Sequence, residues 1–172
     1  MRQEDLQRPA HAADVRFEAL PAILRVLLTT DGIVTDVLAA WFLEEVEATE
    51  AVMRNEGDLV LRRVVLAGRS SGRRLVHAVS ELRMDVLPPE MRSALAASPR
   101  GIGQALRILG LATHRTIEDR WEEPAAERSA SIRVRPQDPL VARRYVVSVN
   151  DVPALRIVER FPVSLYAAER PQ

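Results

Sequence analysis

The sequence predicts an α+β domain built from antiparallel hairpins, and three observations predict it. Apolar residues at helical spacing group early (Leu20, Ile23, Leu24, Leu27, Leu28) and again mid-chain (Ile102, Ala105, Leu106, Leu109). Strand-like apolar runs occupy residues 59–67, 75–82, 141–149 and 154–161. The breaks between paired runs are short: Gly68 to Arg73 joins one pair, and Asn150-Asp151-Val152-Pro153 joins another as a hairpin turn.

Taken in order, residues 1–15 are polar, carry a proline and show no period, so they are expected to form a flexible N-terminal arm, with residues 16–172 as a single domain. The spacing from Glu18 to Leu28 predicts a helix, stopped by Thr29-Thr30-Asp31-Gly32 with Gly32 suited to a positive φ. Thr35 or Asp36 can cap a second helix, Val37 to Leu43. Residues 44–53 alternate as a strand, and Asn55-Glu56-Gly57-Asp58 turns the chain into the strand over 59–67. Pro88-Pro89-Glu90 opens a helix to Ala97, since proline suits a first helical turn, and Ser98-Pro99-Arg100-Gly101 breaks it. Gly110 ends the next helix. Residues 112–121 and 131–135 are expected as strands, with a polar loop over 122–130 between them.

Charge excludes several function classes. Twenty-four basic residues balance 24 acidic ones with no block of either sign, so neither a nucleic-acid footprint nor a polybasic membrane patch is present. With no cysteine there is no disulfide, thiolate catalysis or cysteine metal site. Every basic residue is arginine, which excludes Schiff-base chemistry and leaves the bidentate guanidinium as the cation for holding a carboxylate. The N-terminus lacks the apolar run of a signal peptide, and no stretch is long enough to span a bilayer; a cytoplasmic protein is expected.

Two strands carry charges where apolar residues belong. Arg62 shares a parity with Val60, Val64 and Leu66, and Arg63 shares one with Leu61 and Val65, so at least one of the two arginines faces the interior. Glu159 shares a face with Leu155, Ile157 and Phe161, while Arg156 and Arg160 point the other way. Buried charges need partners, and these suit either a core ion pair or a pocket for a charged ligand. Other motifs are weaker. His11, His77 and His114 lack metal-motif spacing. Gly68-Arg69-Ser70-Ser71-Gly72 has the letters of a nucleophile elbow, but a strand follows where that motif needs a helix, so it is expected to be a hairpin loop. Gly101-Ile102-Gly103 before a helix either offers N–H groups to an anion or simply permits close packing.

Several segments, in order, resemble the chorismate pyruvate-lyase (4-hydroxybenzoate synthase) family: Ile23-Leu24-Arg25-Val26-Leu27-Leu28-Thr29-Thr30-Asp31-Gly32-Ile33-Val34-Thr35, Leu61-Arg62-Arg63-Val64-Val65-Leu66, Gly101-Ile102-Gly103, Arg143-Arg144-Tyr145, and Ile157-Val158-Glu159-Arg160-Phe161-Pro162 followed by Leu165-Tyr166. The resemblance implies one antiparallel sheet of about six strands with helices packed on it and flaps closing an internal pocket. It implies a carbon–oxygen lyase that eliminates enolpyruvate from chorismate, giving 4-hydroxybenzoate and pyruvate without metal or organic cofactor. In that reading Arg62 and Glu159 are the catalytic pair, Arg62 holding a carboxylate and Glu159 contacting the ring hydroxyl or taking a proton. Val34, Ile102 and Gly103 line the substrate, and Arg144 or Arg63 meets the second carboxylate. The chain departs from the family at Ala39, Gly101 and Ile33, where Glu, Pro and Thr are common. Two rival readings remain: the fold recruited to another step on a related small carboxylic acid, or a non-catalytic effector-binding domain. Partners are a small molecule alone, with no nucleic acid or membrane, and a monomer or homodimer.

Overall fold

The computed structural model describes residues 3–97 and 102–167. Seven strands form one antiparallel sheet: β1 (Ala13–Asp14), β2 (Val46–Glu56), β3 (Leu59–Gly68), β4 (Arg74–Arg83), β5 (Thr113–Pro124), β6 (Pro139–Val149) and β7 (Val152–Pro162), in the spatial order β1-β5-β6-β7-β4-β3-β2. The helices are α1 (Ala22–Thr29), α2 (Val34–Phe42), α3 (Pro89–Ala97), α4 (Ile102–Ile108), α5 (Ser129–Ile132) and α6 (Val163–Ala167). None is long and apolar enough to cross a membrane among the described residues.

The sheet is covered on both faces, which explains why β3, β4 and β7 read as almost continuous apolar runs. On one face, hereafter the helix face, α1, α2 and α6 bury Leu24, Leu27, Leu28, Leu38 and Tyr166 against Val64, Leu66, Val76 and Phe161. Farther along the same face α4 and the start of α3 bury Met91, Ile102 and Leu106 against Leu82, Tyr145, Val147 and Ile157. Each fully buried aliphatic side chain contributes about 1.5–3 kcal/mol. On the opposite face lie Leu61, Val79, Trp121, Ala142 and Val158, and the residue that closes this layer is Leu6, 1% exposed. Within the segment expected to be a flexible arm, Gln3–Leu6 forms a 3-10 helix, and Ala13 and Asp14 pair with Glu122 and Trp121 of β5.

Local departures have local causes. Residues 131–135 alternate like a strand, yet Ser129–Ile132 is helical and Arg133 ends it at φ 56°; Ile132 and Val134 pack with Ala125 and Leu140 instead of joining the sheet. The expected strand over 112–121 continues through the polar residues to Pro124. Gly32 does not take the positive φ expected; Thr30 closes α1 in an extended conformation and its hydroxyl accepts the Gly32 N–H at 3.0 Å. Neither Thr35 nor Asp36 caps α2, since the helix starts earlier, after Ile33. Asn150 and Asp151 (φ 50° and 65°) form the two-residue turn between β6 and β7, the geometry whose twist matches antiparallel strands. Ser98, Pro99, Arg100 and Gly101 lie outside the described residues. At the free edge of the sheet β2 carries a bulge between Thr49 and Val52, with Glu50 at φ 52° and paired to Arg74 at 2.7 Å.

Candidate ligand-binding site

On the helix face, between the sheet and the starts of α2 and α4, lies a small cavity partly open to solvent. Its floor is Arg62 and Val64 of β3, Ser80 of β4, Tyr145 of β6 and Glu159 of β7. Its rim is the Gly32–Thr35 segment entering α2 and the first turns of α4, including Ile102 and Gly103. Strand alternation puts Arg62 and Glu159 on this face, and antiparallel pairing brings them near each other: Arg62 opposes Ser80, and Glu159 opposes Ala78 on the same central strand. Gly103 is glycine because α4 presses close on the rim. A Cβ there would come within 3.1 Å of an Ile33 methyl carbon.

The electrostatics centre on Glu159, 6% exposed. Its Oε2 accepts Arg143 Nε–H at 2.8 Å, and its Oε1 accepts the Tyr145 hydroxyl at 3.0 Å. Arg143 also donates to the Thr30 carbonyl at 2.7 Å and sits 4.8 Å from the centre of the Tyr145 ring. Burial, the largest single influence, lowers the Arg143 pKa, but Glu159 and Tyr145 together outweigh it and hold the group above the usual guanidinium value. Burial, then the Glu159 charge, raises the Tyr145 phenol, so it stays protonated and donates. Burial pulls Arg62, 2% exposed, below the usual guanidinium value, although an arginine remains charged. Thr35 lines the cavity with its hydroxyl buried and without a hydrogen-bond partner among the described residues, and the Arg143 Nη2 is likewise unsatisfied.

Of the residues singled out in the sequence, Val34, Arg62, Ile102, Gly103 and Glu159 all border this cavity. Arg144 does not: it lies on the opposite face, donating to Glu118 at 3.0 Å and to Gln7 at 3.3 Å. Arg63 also faces away, toward a separate cleft. Three contributors escaped the sequence reading. Arg143 is the inward arginine of the Arg143-Arg144 pair, Tyr145 completes the clamp on Glu159, and Arg115 of β5 lines the cavity while tethering the rim through the Asp31 carbonyl at 2.9 Å. The Gly68–Gly72 segment is the β3–β4 hairpin loop, with the Ser71 hydroxyl donating to Glu44 at 2.7 Å.

The same fold recurs in solved structures. PhnF from Mycobacterium smegmatis aligns at a TM-score of 0.59 with 15% identity, over 79% of this chain and 66% of that one, so the chain spans just under two thirds of its length. The effector domain of PhnF from the same organism aligns at 0.58 with 14% identity, over 77% of this chain and 90% of that domain. A GntR-family transcriptional regulator from Enterococcus faecalis aligns at 0.47 with 12% identity, over 70% of this chain and 94% of that one. No curated protein matches the sequence.

These findings correct the expected activity. The expected reading, an enzyme cleaving chorismate to 4-hydroxybenzoate and pyruvate, is corrected: the fold is shared with the effector domain of PhnF, so the fold does not carry the lyase activity. Each oxygen of Glu159 accepts one hydrogen bond, from Arg143 and from Tyr145. What is shared is the chorismate-lyase-like fold, and by sequence over residues 21–169 the chain belongs to the family described as "Chorismate pyruvate-lyase Rv2949c-like".

Proposed function

We propose that the chain is a non-catalytic ligand-binding domain whose helix-face cavity takes a small ring acid as effector. One observation carries this reading: a buried guanidinium, Arg62, and a carboxylate clamped in place, Glu159, stand on the floor of one cavity whose walls are otherwise largely apolar. A guanidinium holds a carboxylate through paired charge-assisted hydrogen bonds. Val64, Leu106 and Ile157 offer apolar contact to a ring, and the Thr35 hydroxyl is a free polar partner at the rim. Clamping by Arg143 and Tyr145 suits a carboxylate that reads a ligand hydroxyl without exchanging protons. The effector domain of PhnF, on the same fold, supports binding as the role.

Calorimetric titration with 4-hydroxybenzoate and with benzoate tests the proposal. Saturable binding is expected, weakened at least about tenfold in Arg62→Gln, the loss of one hydrogen bond to a charged group. Equal affinity in wild type and Arg62→Gln, or no binding of either acid, refutes the site. Formation of 4-hydroxybenzoate from chorismate above the uncatalysed rate refutes the non-catalytic role.

A further inference from the structure

Across the sheet from this cavity lies a second, broader cleft, bordered by the N-terminal segment, by Arg63 and His77 on the strands, and by Ala126, Glu127, Arg128 and Ser131. Its floor is unusual. His77 is 3% exposed, yet its Nδ1 has no hydrogen-bond partner among the described residues. Arg63 is half-buried and, among the described residues, forms no ion pair or hydrogen bond. The two stand on neighbouring strands of one face, with Arg63 opposite Val79 and His77 opposite Val65, which makes them diagonal neighbours. The other cations of the region already have acids: Arg160 donates to Glu123 at 2.5 Å, Arg128 pairs with Asp5 at 3.2 Å, and Arg8 pairs with Asp14 at 2.7 Å.

We infer that this cleft is a second ligand site, in which Arg63 and His77 bind a small oxyanion, the carboxylate or phosphate group of a metabolite. The His77 Nδ1 is a buried polar atom without a partner among the described residues, which costs about 1–3 kcal/mol, and an oxyanion drawn to the half-buried Arg63 guanidinium would satisfy it once the ring turns toward the cleft. Burial, then Arg160, Arg128 and Arg63, lowers the His77 pKa to about 3, so the ring is neutral and Nδ1 can carry a proton to donate. Charge also favours an anion over a cation at the floor, because the facing acids there are already engaged: Asp5 with Arg128, and Glu123 with Arg160. Glu4 and Glu127, which also border the cleft, are exposed to solvent, where water screens their charge. This site is independent of the ring-acid cavity, from which the sheet separates it.

The His77 ring resonances, followed by NMR during titration with inorganic phosphate and with acetate at constant ionic strength, test the inference; exposed His114 serves as the control. A saturable shift at His77 but not at His114 is expected, with the His77 pKa raised in the bound form. Arg63→Gln should weaken it at least about tenfold. Ser131→Asp, which places a negative charge at the rim without touching the floor, should weaken it too and replaces the first variant if that fails to fold. Tighter phosphate assigns phosphate esters to the site, and tighter acetate assigns carboxylates. A His77 shift that does not saturate, or one of equal affinity in both variants, overturns the inference.

Discussion

The sheet buries an arginine–glutamate pair on each face, and the two are differently housed. On the helix face Arg143–Glu159 borders a cavity, with Glu159 6% exposed and Arg143 holding the Thr30 carbonyl at the base of the rim. On the opposite face Arg160 and Glu123 are both shut off from solvent, with Arg160 also donating to the Asp5 carbonyl at 2.8 Å and lying 5.9 Å from the centre of the Trp121 ring. Glu159 lines space for a ligand, whereas neither Arg160 nor Glu123 lines the cleft on their own face, and Arg160 ties the N-terminal segment to the sheet. A buried ion pair therefore does not by itself mark a site. What distinguishes the helix-face pair is that Glu159 itself lines a cavity together with a second cation, Arg62.

The comparison can be broken most directly at the carboxylates. Glu123→Ala leaves Arg160 buried beside Arg128 without its carboxylate and should cost about 3–5 kcal/mol in urea unfolding. Glu159→Ala should cost less, because water can enter from the cavity, while abolishing ring-acid binding. Equal costs, or the reverse order, would remove the distinction between the two faces.

Acid sharpens it next. His77 belongs only to the opposite face, and its pKa of about 3 lies below the ordinary 6.5 because burial and then Arg160, Arg128 and Arg63 disfavour the imidazolium, against a smaller opposing effect of Asp5. The unfolded chain thus takes up a proton that the folded chain refuses, and stability is lost as pH falls from about 6.5 toward 3. Between pH 6.5 and 5 the loss should reach about 2 kcal/mol, and it should vanish in His77→Gln, as read from urea midpoints across that interval. An unchanged slope in the variant would place the acid sensitivity elsewhere.

The smallest effect belongs to the rim of the ring-acid cavity. Gly103→Ala sets a methyl group against Ile33, which must yield by a few tenths of an ångström. A cost of about 1 kcal/mol is expected, together with weaker ring-acid binding and an unchanged His77 titration. A change at His77 would mean that the two faces communicate.

Much of the strand framework was legible because alternation and turn residues are local signals. Arg62 and Glu159 stood out for the same reason, since a charge among Val60, Val64 and Leu66 or beside Ile157 and Phe161 violates a two-residue period. Arg143 carries the same signal, on one parity with Val141, Tyr145 and Val147, but its pairing with Glu159 was hidden, and the register explains why. A two-residue turn at Asn150–Asp151 with no irregularity would set Glu159 opposite Ala142. The bulge between Val147 and Ser148 moves the pairing by one residue, to Arg143. A bulge of that kind leaves no mark in composition or periodicity. The cover of the opposite face was equally hidden, because it rests on Leu6 alone in a polar stretch and on Ile132 in a helix of four residues that alternates like a strand. The expected chemistry went astray for another reason: motifs record a shared fold, and one fold hosts more than one function.

The bulge in β2 has a consequence for the protein's life in a crowded solution. β2 is the outermost strand beyond β3, and its exposed half carries Val52 and Met53, each 42% exposed. A flat edge with such residues is a template on which a second chain could add a strand. The extra residue at Glu50–Ala51 kinks the edge, and its charged neighbours Glu47, Arg54 and Glu56 oppose close approach, so the main-chain groups along this border are poorly presented for capture. An irregularity that looks like a fault in the ladder thus guards the sheet against polymerisation.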